Sequence, residues 1–377
     1  MGESAFAAAI REARAAGREL VDLTVSNPTV CGFDYDAQAI LAPLASREAM
    51  TYDPDPRGMR FAREAVVGYY GDHGASVDPD NVILTTSTSE GYGYLFRLLC
   101  DAGDEVLVAQ PSYPLFDFLA DLEDVRLKPY PLFYDYGWWI DFAELERRIG
   151  ERTKAIVVVH PNNPTGSVIG TRERGRLEEI CARHVLALIV DEVFLDYPLE
   201  EGAVLPSFAV GPHPVLTFVL SGMSKIAGLP QMKVGWIVGF GPVAVREQAL
   251  ARLEVVADTF LSMNAPMQRA LPAWLAGRRR IQDQILGRLR RNLRLATESG
   301  VEVLQAQAGW SAILRLPQRP DEAGSLLTEA GVILHPGAFY GIGESGRVVV
   351  SLLGREADFS DGISRIKRVT GGNHGSY

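Results

Sequence analysis

A lysine is the residue for which the sequence most clearly suggests chemistry. Of the 37 basic residues only five are lysines, at Lys128, Lys154, Lys225, Lys233 and Lys367. Lys225 closes the segment Ser221-Gly222-Met223-Ser224-Lys225, which follows the apolar run Val215–Leu220. If that run is a strand, Lys225 lies at its carboxyl end, where open α/β sheets bind ligands. An amine held among apolar groups loses its proton and can form a Schiff base. Taken alone, the segment fits a surface-loop lysine equally well.

Three other segments place polar side chains directly after predicted strands. The turn His160–Gly166 follows Ala155–Val159, Asp191 follows Ala187–Val190, and the hydroxyl-rich loop Thr85–Glu90 follows a strand that begins at Val82. Each segment has an ordinary structural explanation as a turn, a helix cap or a capping box. Each also has a functional one, because a buried acid needs a partner and a helix N-terminus binds anions.

The apolar runs predict the elements that position these segments. Helical patterns such as Arg172–Arg183 separate several β-branched runs, and this alternation favours an α/β fold with a mainly parallel sheet covered on both faces. After about Phe240 the pattern changes to two long helices, Val243–Ala257 and Met267–Ser299, and then to a small α+β unit. The strands predicted in the first part are Val82–Thr85, Glu105–Ala109, Ala155–His160, Leu186–Asp191, Val215–Leu220 and Val234–Val238.

Composition excludes several classes of protein. Hydrophobic residues make up 47% of the 377 residues and charged residues 22%, which is typical of a packed globular chain and not of a disordered one. The net charge of −10 disfavours nucleic-acid binding. No apolar run is long enough to span a bilayer. Three widely spaced cysteines favour reduced thiols in the cytoplasm and cannot form a structural zinc site alone, so no metal is expected.

Taken in order, the hydroxyl loop, the Asn-Pro-Thr-Gly turn, the Asp-Glu-Val segment and the Ser-Lys segment resemble a known family. The chain is similar to the fold-type I, pyridoxal 5′-phosphate-dependent aminotransferases of class I/II, from about Asp22 to Leu353. Each motif alone is weak, but the four in this order are specific. The resemblance implies a seven-stranded, mainly parallel sheet in a large domain (residues 40–265). A smaller, discontinuous α+β domain (residues 1–39 and 266–377) would close over the substrate.

The resemblance also implies roles for residues around the cofactor ring. Lys225 would hold the cofactor as an internal aldimine, and Asp191 would pair with the pyridine nitrogen so that the ring withdraws electrons. Asn163 would bind the ring oxygen and contact the substrate, and Tyr113 would stack on the ring. Phe194 stands where many relatives have a tyrosine that donates to the ring oxygen, so the aldimine should hold its proton more tightly here.

Further residues are implied at the cofactor phosphate and at the dimer interface. Ser87 and Thr88 would bind the phosphate at a helix N-terminus. Either Ser221 or Ser224 would complete the cradle with Lys233, at a position where arginine is commoner. Tyr52 would reach the phosphate of the neighbouring subunit, so the resemblance implies a homodimer.

The resemblance also assigns substrate contacts. Arg347, which opens the β-branched run Arg347–Ser351, would grip the substrate carboxylate, because a guanidinium forms a bidentate fork. Ser26 would lie near that carboxylate. The stretch Thr259-Phe260-Leu261-Ser262 lacks the second arginine of dicarboxylate-selective members, which implies a neutral or apolar substrate side chain. Val25, Phe33 and Tyr35 are expected to line its pocket.

The expected activity is a ping-pong transfer of an amino group between an L-amino acid and a 2-oxo acid. Lys225 would remove the α-proton and return it to the cofactor. The motifs leave open another pyridoxal-phosphate reaction on the same scaffold, namely β-elimination, γ-replacement or oxidation.

Overall fold

Three β-sheets organise the part of the chain that the computed structural model describes, residues 5–261, 263–317 and 322–371. The strands are β1 Val21–Asp22, β2 Val82–Thr85, β3 Glu105–Gln110, β4 Arg126–Tyr134, β5 Trp138–Ile140, β6 Thr153–Val159, β7 Ala187–Asp191, β8 Thr217–Gly222, β9 Gly235–Phe240, β10 Glu302–Val303, β11 Ser311–Arg315, β12 Val332–Ile333, β13 His335–Pro336 and β14 Arg347–Ser351.

Helices separate most of these strands. They are α1 Ala5–Ala15, α2 Ala37–Leu41, α3 Arg60–Asp72, α4 Thr88–Leu99, α5 Leu115–Leu122, α6 Phe142–Arg148, α7 Thr171–His184, α8 Met223–Ile226, α9 Val243–Thr259, α10 Ala265–Gly277, α11 Arg279–Glu298, α12 Glu322–Ala330 and α13 Glu356–Gly371. No helix in the described ranges is long and apolar enough to cross a membrane.

The large sheet carries the positions that the motifs occupy. Its order is β2-β9-β8-β7-β6-β3-β4-β5, and the neighbours from β8 to β4 pair in parallel, whereas β9 and β5 run antiparallel to their neighbours. The predicted α/β architecture is confirmed, and β5 adds an eighth strand to the seven expected. Every residue of β7, β8 and β9 is buried, since apolar clusters cover both faces of the sheet.

Adjacent parallel strands bring three of the motifs to one edge of the sheet. In the registers of β6, β7 and β8, Val159 lies opposite Asp191, and Asp191 lies opposite Leu220. The turn after β6, the acid that ends β7 and the segment after β8 therefore meet at the carboxyl ends of neighbouring strands.

The small sheet lies later in the chain, with the order β10-β11-β14-β13. The first strand of the chain joins this region, because Val21 and Asp22 pair in parallel with Val332 and Ile333. In addition, the backbone N–H of Ser351 donates to the carbonyl of Leu23 at 2.7 Å. The domain boundaries at residues 39/40 and 265/266 stay a prediction.

Two elements differ from the sequence-based expectation. Strand β4 is not among the predicted strands, and it contains Pro129 and Pro131. Its inner side pairs with β3, and its outer side pairs with β5 only from Leu132 onward, although the Pro131 carbonyl accepts from the N–H of Asp141 at 3.2 Å. Prolines fit a strand whose outer side is paired over only part of its length. The predicted helix 267–299 is in fact two helices, α10 and α11, that meet at Arg278.

Candidate active site

A cavity of about 370 Å³ lies where the carboxyl ends of β6, β7 and β8 face the small sheet. Its wall includes residues from both regions, among them Asn163 after β6 and Val349 on β14. The cavity brings together eight of the residues that the sequence singled out. These are Ser26, Thr88, Tyr113, Asn163, Asp191, Phe194, Ser224 and Lys225.

Lys225 lies on α8, a single helical turn that follows β8 directly. Burial lowers the pKa of its ammonium to about 8, against an opposing effect of the Asp191 carboxylate. The Nζ atom lies 4.7 Å from the ring centroid of Trp310 and 5.6 Å from that of Phe194. The hydroxyl of Tyr197 donates to the backbone oxygen of Lys225 at 2.5 Å, which fixes the turn. The lysine is thus a half-buried amine that loses its proton more readily than a surface lysine does.

Asp191 ends β7 and is held by two donors. The backbone N–H of Val193 donates to Oδ1 at 3.0 Å, and the hydroxyl of Tyr92 on α4 donates to Oδ2 at 3.1 Å. Burial raises the pKa of Asp191 to about 6, although both hydrogen bonds and Lys225 act to lower it. The carboxyl is therefore largely ionised at neutral pH and can pair with a protonated ring nitrogen.

The N-terminus of α4 lies on the cavity wall, where the cofactor phosphate is predicted to bind. Ser87 caps the helix by accepting from the N–H of Glu90 at 3.1 Å, while Thr88 and Ser89 line the cavity. Gly235 on β9 packs against this turn so closely that a Cβ would lie 2.9 Å from the carbonyl carbon of Ser87. Free backbone N–H groups at such a terminus bind phosphate.

Asn163 and Tyr113 enter the cavity from two loops. The turn that carries Asn163 is held by its neighbour Asn162, whose side-chain oxygen accepts from the hydroxyl of Thr165 at 2.9 Å. Tyr113 precedes α5, lines the cavity and is 44% exposed. The loop before it is tied to the small-sheet region, because Ser112 N–H donates to the carbonyl of Tyr340 at 3.0 Å.

Five predicted residues do not line the cavity. Ser87 caps the N-terminus of α4 and does not line the cavity. The hydroxyl of Ser221 is buried and donates to the carbonyl of Glu192 at 3.4 Å. Of the two serines that the sequence left open, Ser224 is the one on the wall. Lys233 has an exposed side chain and a left-handed backbone (φ 50°), and Tyr52 is 75% exposed.

Arg347 is the fifth of these residues. It opens β14 opposite Arg315 of β11, and burial together with the charge of Arg315 lowers the pKa of its guanidinium. The cavity reaches β14 only at Val349 and Ser351. Arg347 itself is not among the lining residues, and its role at the substrate carboxylate stays a prediction.

Val25, Phe33 and Tyr35 are likewise absent from the cavity wall and pack against the main apolar cluster instead. The hydroxyl of Tyr35 donates to the carbonyl of Gly228 at 2.8 Å. Ser262, in the stretch that lacks the second arginine of dicarboxylate-selective members, lies outside the described residues.

Several cavity residues carry no sequence signal that could have identified them. Tyr92 is an interior helix residue, Trp310 precedes β11, and His335 forms a hydrogen bond with the Tyr340 hydroxyl at 3.0 Å. Ser89, in contrast, stands within the hydroxyl loop and could have been included with Thr88.

The groups on the wall fit pyridoxal 5′-phosphate. Its aldehyde requires an amine of low pKa, which Lys225 supplies, and its ring nitrogen requires an anion, which Asp191 supplies. Its phosphate requires backbone donors, which the N-terminus of α4 supplies. These three demands are met within a single cavity.

Comparison with known proteins gives an independent result. Residues 18–363 match the family described as aminotransferase class I and II. The chain is 31% identical to the glutamate-pyruvate aminotransferase AlaA of Haemophilus influenzae, over 72% of this chain and 68% of that protein. It is 32% identical to an alanine aminotransferase of Mycobacterium tuberculosis, over 73% of this chain and 65% of that protein.

Solved structures have the same fold. An aspartate aminotransferase from Thermus thermophilus superposes with a TM-score of 0.84 at 25% identity, covering 98% of this chain and 97% of that one. An alanine aminotransferase from Pyrococcus furiosus, at 22% identity, has a TM-score of 0.87 and covers 97% and 95% of the two chains. From the family match and the buried lysine–aspartate cavity together, we conclude that the chain belongs to the pyridoxal-phosphate-dependent aminotransferases of class I and II.

Proposed function

We propose that this enzyme moves an amino group between an L-amino acid with a neutral or apolar side chain and a 2-oxo acid, in a ping-pong cycle. The observation that carries the proposal is the pair of half-buried Lys225 and buried Asp191 in one cavity, at one sheet edge beside the N-terminus of α4. The names of the relatives, glutamate-pyruvate and alanine aminotransferase, support a small amino acid as one substrate.

The cofactor, when bound, supplies an aldehyde carbon that accepts the amino group and a ring that withdraws electrons from the substrate. Lys225 would hold that aldehyde through its amine, and the amine, once free, would move a proton from the substrate α-carbon. Asp191, held by Tyr92 and Val193, would keep the ring nitrogen protonated. Asn163 is proposed to donate to the ring oxygen and to touch the substrate.

The character of the cavity wall supports a neutral substrate side chain. Lys225 and Asp191 are the sole lysine, arginine or carboxylate side chains on it within the described ranges, and His335 has a pKa lowered by burial. Large apolar groups fill much of the remainder, namely Leu115, Phe116, Leu119, Phe339 and Val349. A charged substrate side chain would lose its hydration here without gaining a partner.

We also propose that two copies of the chain assemble, with Tyr52 reaching the phosphate in the neighbouring copy. Tyr52 and Met50 are 75% and 88% exposed; Met50 ends a short 3₁₀ helix, and Tyr52 stands on the loop that follows it toward α3. Large apolar side chains exposed close together in the chain favour an interface. The proposed compartment is the cytoplasm, in agreement with the free thiols of Cys31, Cys100 and Cys181.

The test follows each half-reaction of the purified holoenzyme separately. L-Alanine and other amino acids are added one at a time, and the absorbance of the bound cofactor, the 2-oxo acid product and free ammonia are measured. We expect loss of the aldehyde absorbance, one equivalent of 2-oxo acid and no ammonia, and then recovery of the absorbance on addition of a second 2-oxo acid. Release of ammonia in stoichiometric amounts would instead favour elimination or oxidation and refute the transfer.

A further inference from the structure

Lys225 stands on a turn that is too short to hold its own shape. Helix α8 has only four residues, and a helix of this length is not stable by itself. The last carbonyl groups of any helix also lack partners within it. Here one weak local bond forms, from the N–H of Gly228 to the carbonyl of Lys225 at 3.2 Å. The position of the lysine backbone is therefore set by groups from elsewhere in the chain.

Side chains from three separate segments hold residues 225–228, which we call the lysine turn. Each donates to a different backbone carbonyl: the Tyr197 hydroxyl to Lys225 at 2.5 Å, Gln282 Nε2 to Ile226 at 2.8 Å, and the Tyr35 hydroxyl to Gly228 at 2.8 Å. The donors come from the loop after β7, from α11 and from the segment that precedes α2. Tyr197 and Gln282 are buried and Tyr35 is half-buried. These bonds fix the lysine turn from three directions.

Tyr35 lies so close to the lysine turn that a glycine is required there. Gly228 has a φ of +59°, and a Cβ on it would lie 2.9 Å from the Tyr35 hydroxyl. Burial raises the pKa of Tyr35 well above its ordinary value, so the hydroxyl keeps its proton and remains a donor. Helix α11 fixes the residue before it, because the Gln284 side chain bonds the N–H and the carbonyl of Asp34, at 2.8 and 3.0 Å. The hydroxyl is thus held in place against the turn.

We propose that Tyr35 is a positioning residue, which acts through the backbone of the lysine turn to place the amine of Lys225 for proton transfer. The proposal rests on the proposed amino transfer and deepens it. The lysine stem is long and flexible, so the amine reaches the substrate α-carbon in one geometry only if its backbone is fixed. A misplacement of about 1 Å can slow a catalytic step about a hundredfold. Loss of one neutral hydrogen bond of the three should slow it about 2- to 12-fold.

Exchange of the substrate α-hydrogen isolates this proton transfer from the rest of the cycle. The holoenzyme and L-alanine are mixed in heavy water, with no 2-oxo acid added. Lys225 removes the α-proton, and the electron pair of that C–H bond stays with the bound substrate. The amine exchanges its proton with the solvent and returns a deuteron to the same carbon, so nothing is oxidised overall. Loss of the α-proton signal in the NMR spectrum gives the rate, which is divided by the amount of bound cofactor.

Tyr35→Phe removes the hydroxyl and keeps the ring. We expect the exchange rate per site to fall about 3- to 10-fold. Binding of 2-methylalanine, which has no α-hydrogen, is measured from the absorbance of the bound cofactor and should not weaken, because this ligand needs no proton transfer from carbon. General damage to the site would weaken binding as well. An exchange rate that does not change, or a loss of binding as large as the loss of exchange, would overturn the proposal.

A second variant and a matched control complete the test. Gln282→Met removes another donor to the lysine turn at similar side-chain length, so it keeps the proposal falsifiable if Tyr35→Phe does not fold. It should show the same slower exchange with unweakened binding. In Tyr130→Phe a buried tyrosine loses its bond to a carbonyl of β6, at 3.1 Å, and both quantities should stay unchanged. Unchanged exchange in Gln282→Met, or an equal loss in Tyr130→Phe, would refute the role of the turn.

Failure of this inference is distinguishable from failure of the proposed function. Capture of pyridoxal phosphate by the apoenzyme needs the Lys225 amine in place but no amino acid, and Tyr35→Phe should slow it by a similar factor. If the wild type exchanges L-alanine normally and Tyr35→Phe changes neither exchange nor capture, the amino transfer stands and this inference falls. If the wild type captures the cofactor but exchanges the α-hydrogen of no amino acid, the proposed function fails, and slower capture in Tyr35→Phe still supports the positioning of Lys225.

Discussion

The hydroxyl of Tyr92 offers a sharp test of how the site controls its acid. Tyr92→Phe removes the 3.1 Å hydrogen bond to Asp191 Oδ2 and leaves the aromatic ring in place. That bond lowers the pKa of Asp191, which burial raises to about 6. A hydrogen bond to a charged group contributes about 1.5–3 kcal/mol, and 1.36 kcal/mol is one pKa unit, so the pKa should rise by about 1–2 units.

The assay is the rate at which the apoenzyme captures pyridoxal phosphate as a function of pH, because capture requires ionised Asp191. The ratio of variant to wild-type rates removes the contribution of Lys225, which both proteins share. We expect the ratio to approach one above about pH 9 and to fall to roughly 1/10–1/100 below pH 6, as the shift in pKa dictates.

Tyr130→Phe is the matched control. Tyr130 is also fully buried, but its hydroxyl donates to the carbonyl of Val157 at 3.1 Å, away from the acid. Its rate ratio should be independent of pH. A Tyr92→Phe ratio that does not vary with pH would refute the assignment of the acidic limb to Asp191.

Three other substitutions test separate parts of the account. Gly235→Ala places a Cβ 2.9 Å from the backbone at the start of α4. We expect it to weaken cofactor binding at least about tenfold, measured by equilibrium dialysis. Gly175→Ala is the control, because the space around its Cβ is open, and it should leave cofactor binding unchanged. Burial lowers the pKa of His160 to about 4, so the unfolded chain binds a proton at this residue more readily than the folded protein does. The free energy of unfolding should therefore fall by about 3 kcal/mol as the pH drops from about 6.5 toward 4. In urea titrations, His160→Gln should reduce the pH dependence of the free energy of unfolding, whereas His184→Gln, at an exposed position, should leave it unchanged. The same pH dependence in the wild type and both variants would contradict the reasoning. Phe194→Tyr adds a hydroxyl at the cavity and should lower the pKa of the bound-cofactor absorbance transition by about one unit. A transition that does not move would show that Phe194 is remote from the ring oxygen.

The parts of the fold and site that the sequence predicts are those with local signals. Strands Val82–Thr85 and Arg347–Ser351 have the predicted bounds, because short runs enriched in β-branched residues favour a strand over a helix. Lys225, Asp191 and Asn163 come together because each stands at or within a few residues of the carboxyl end of a parallel strand of one sheet. Residues at the carboxyl ends of strands can be predicted from the sequence once the strands are recognised.

The remainder depends on contacts between distant segments. Tyr92 reaches Asp191 from inside a helix, and Trp310 reaches Lys225 from the approach to the small sheet, so no local pattern marks either. The strand that Arg347 opens does border the cavity, through Val349 and Ser351, and the role of Arg347 itself stays a prediction.

The central claim is that Lys225, of the five lysines, is the one joined to the cofactor aldehyde. Borohydride reduction of the purified holoenzyme, followed by proteolysis and mass mapping, tests it most directly, since reduction makes that bond permanent. The account predicts one phosphopyridoxyl group per chain, on Lys225. A label on another lysine, or no label on a protein incubated with the cofactor, would contradict it.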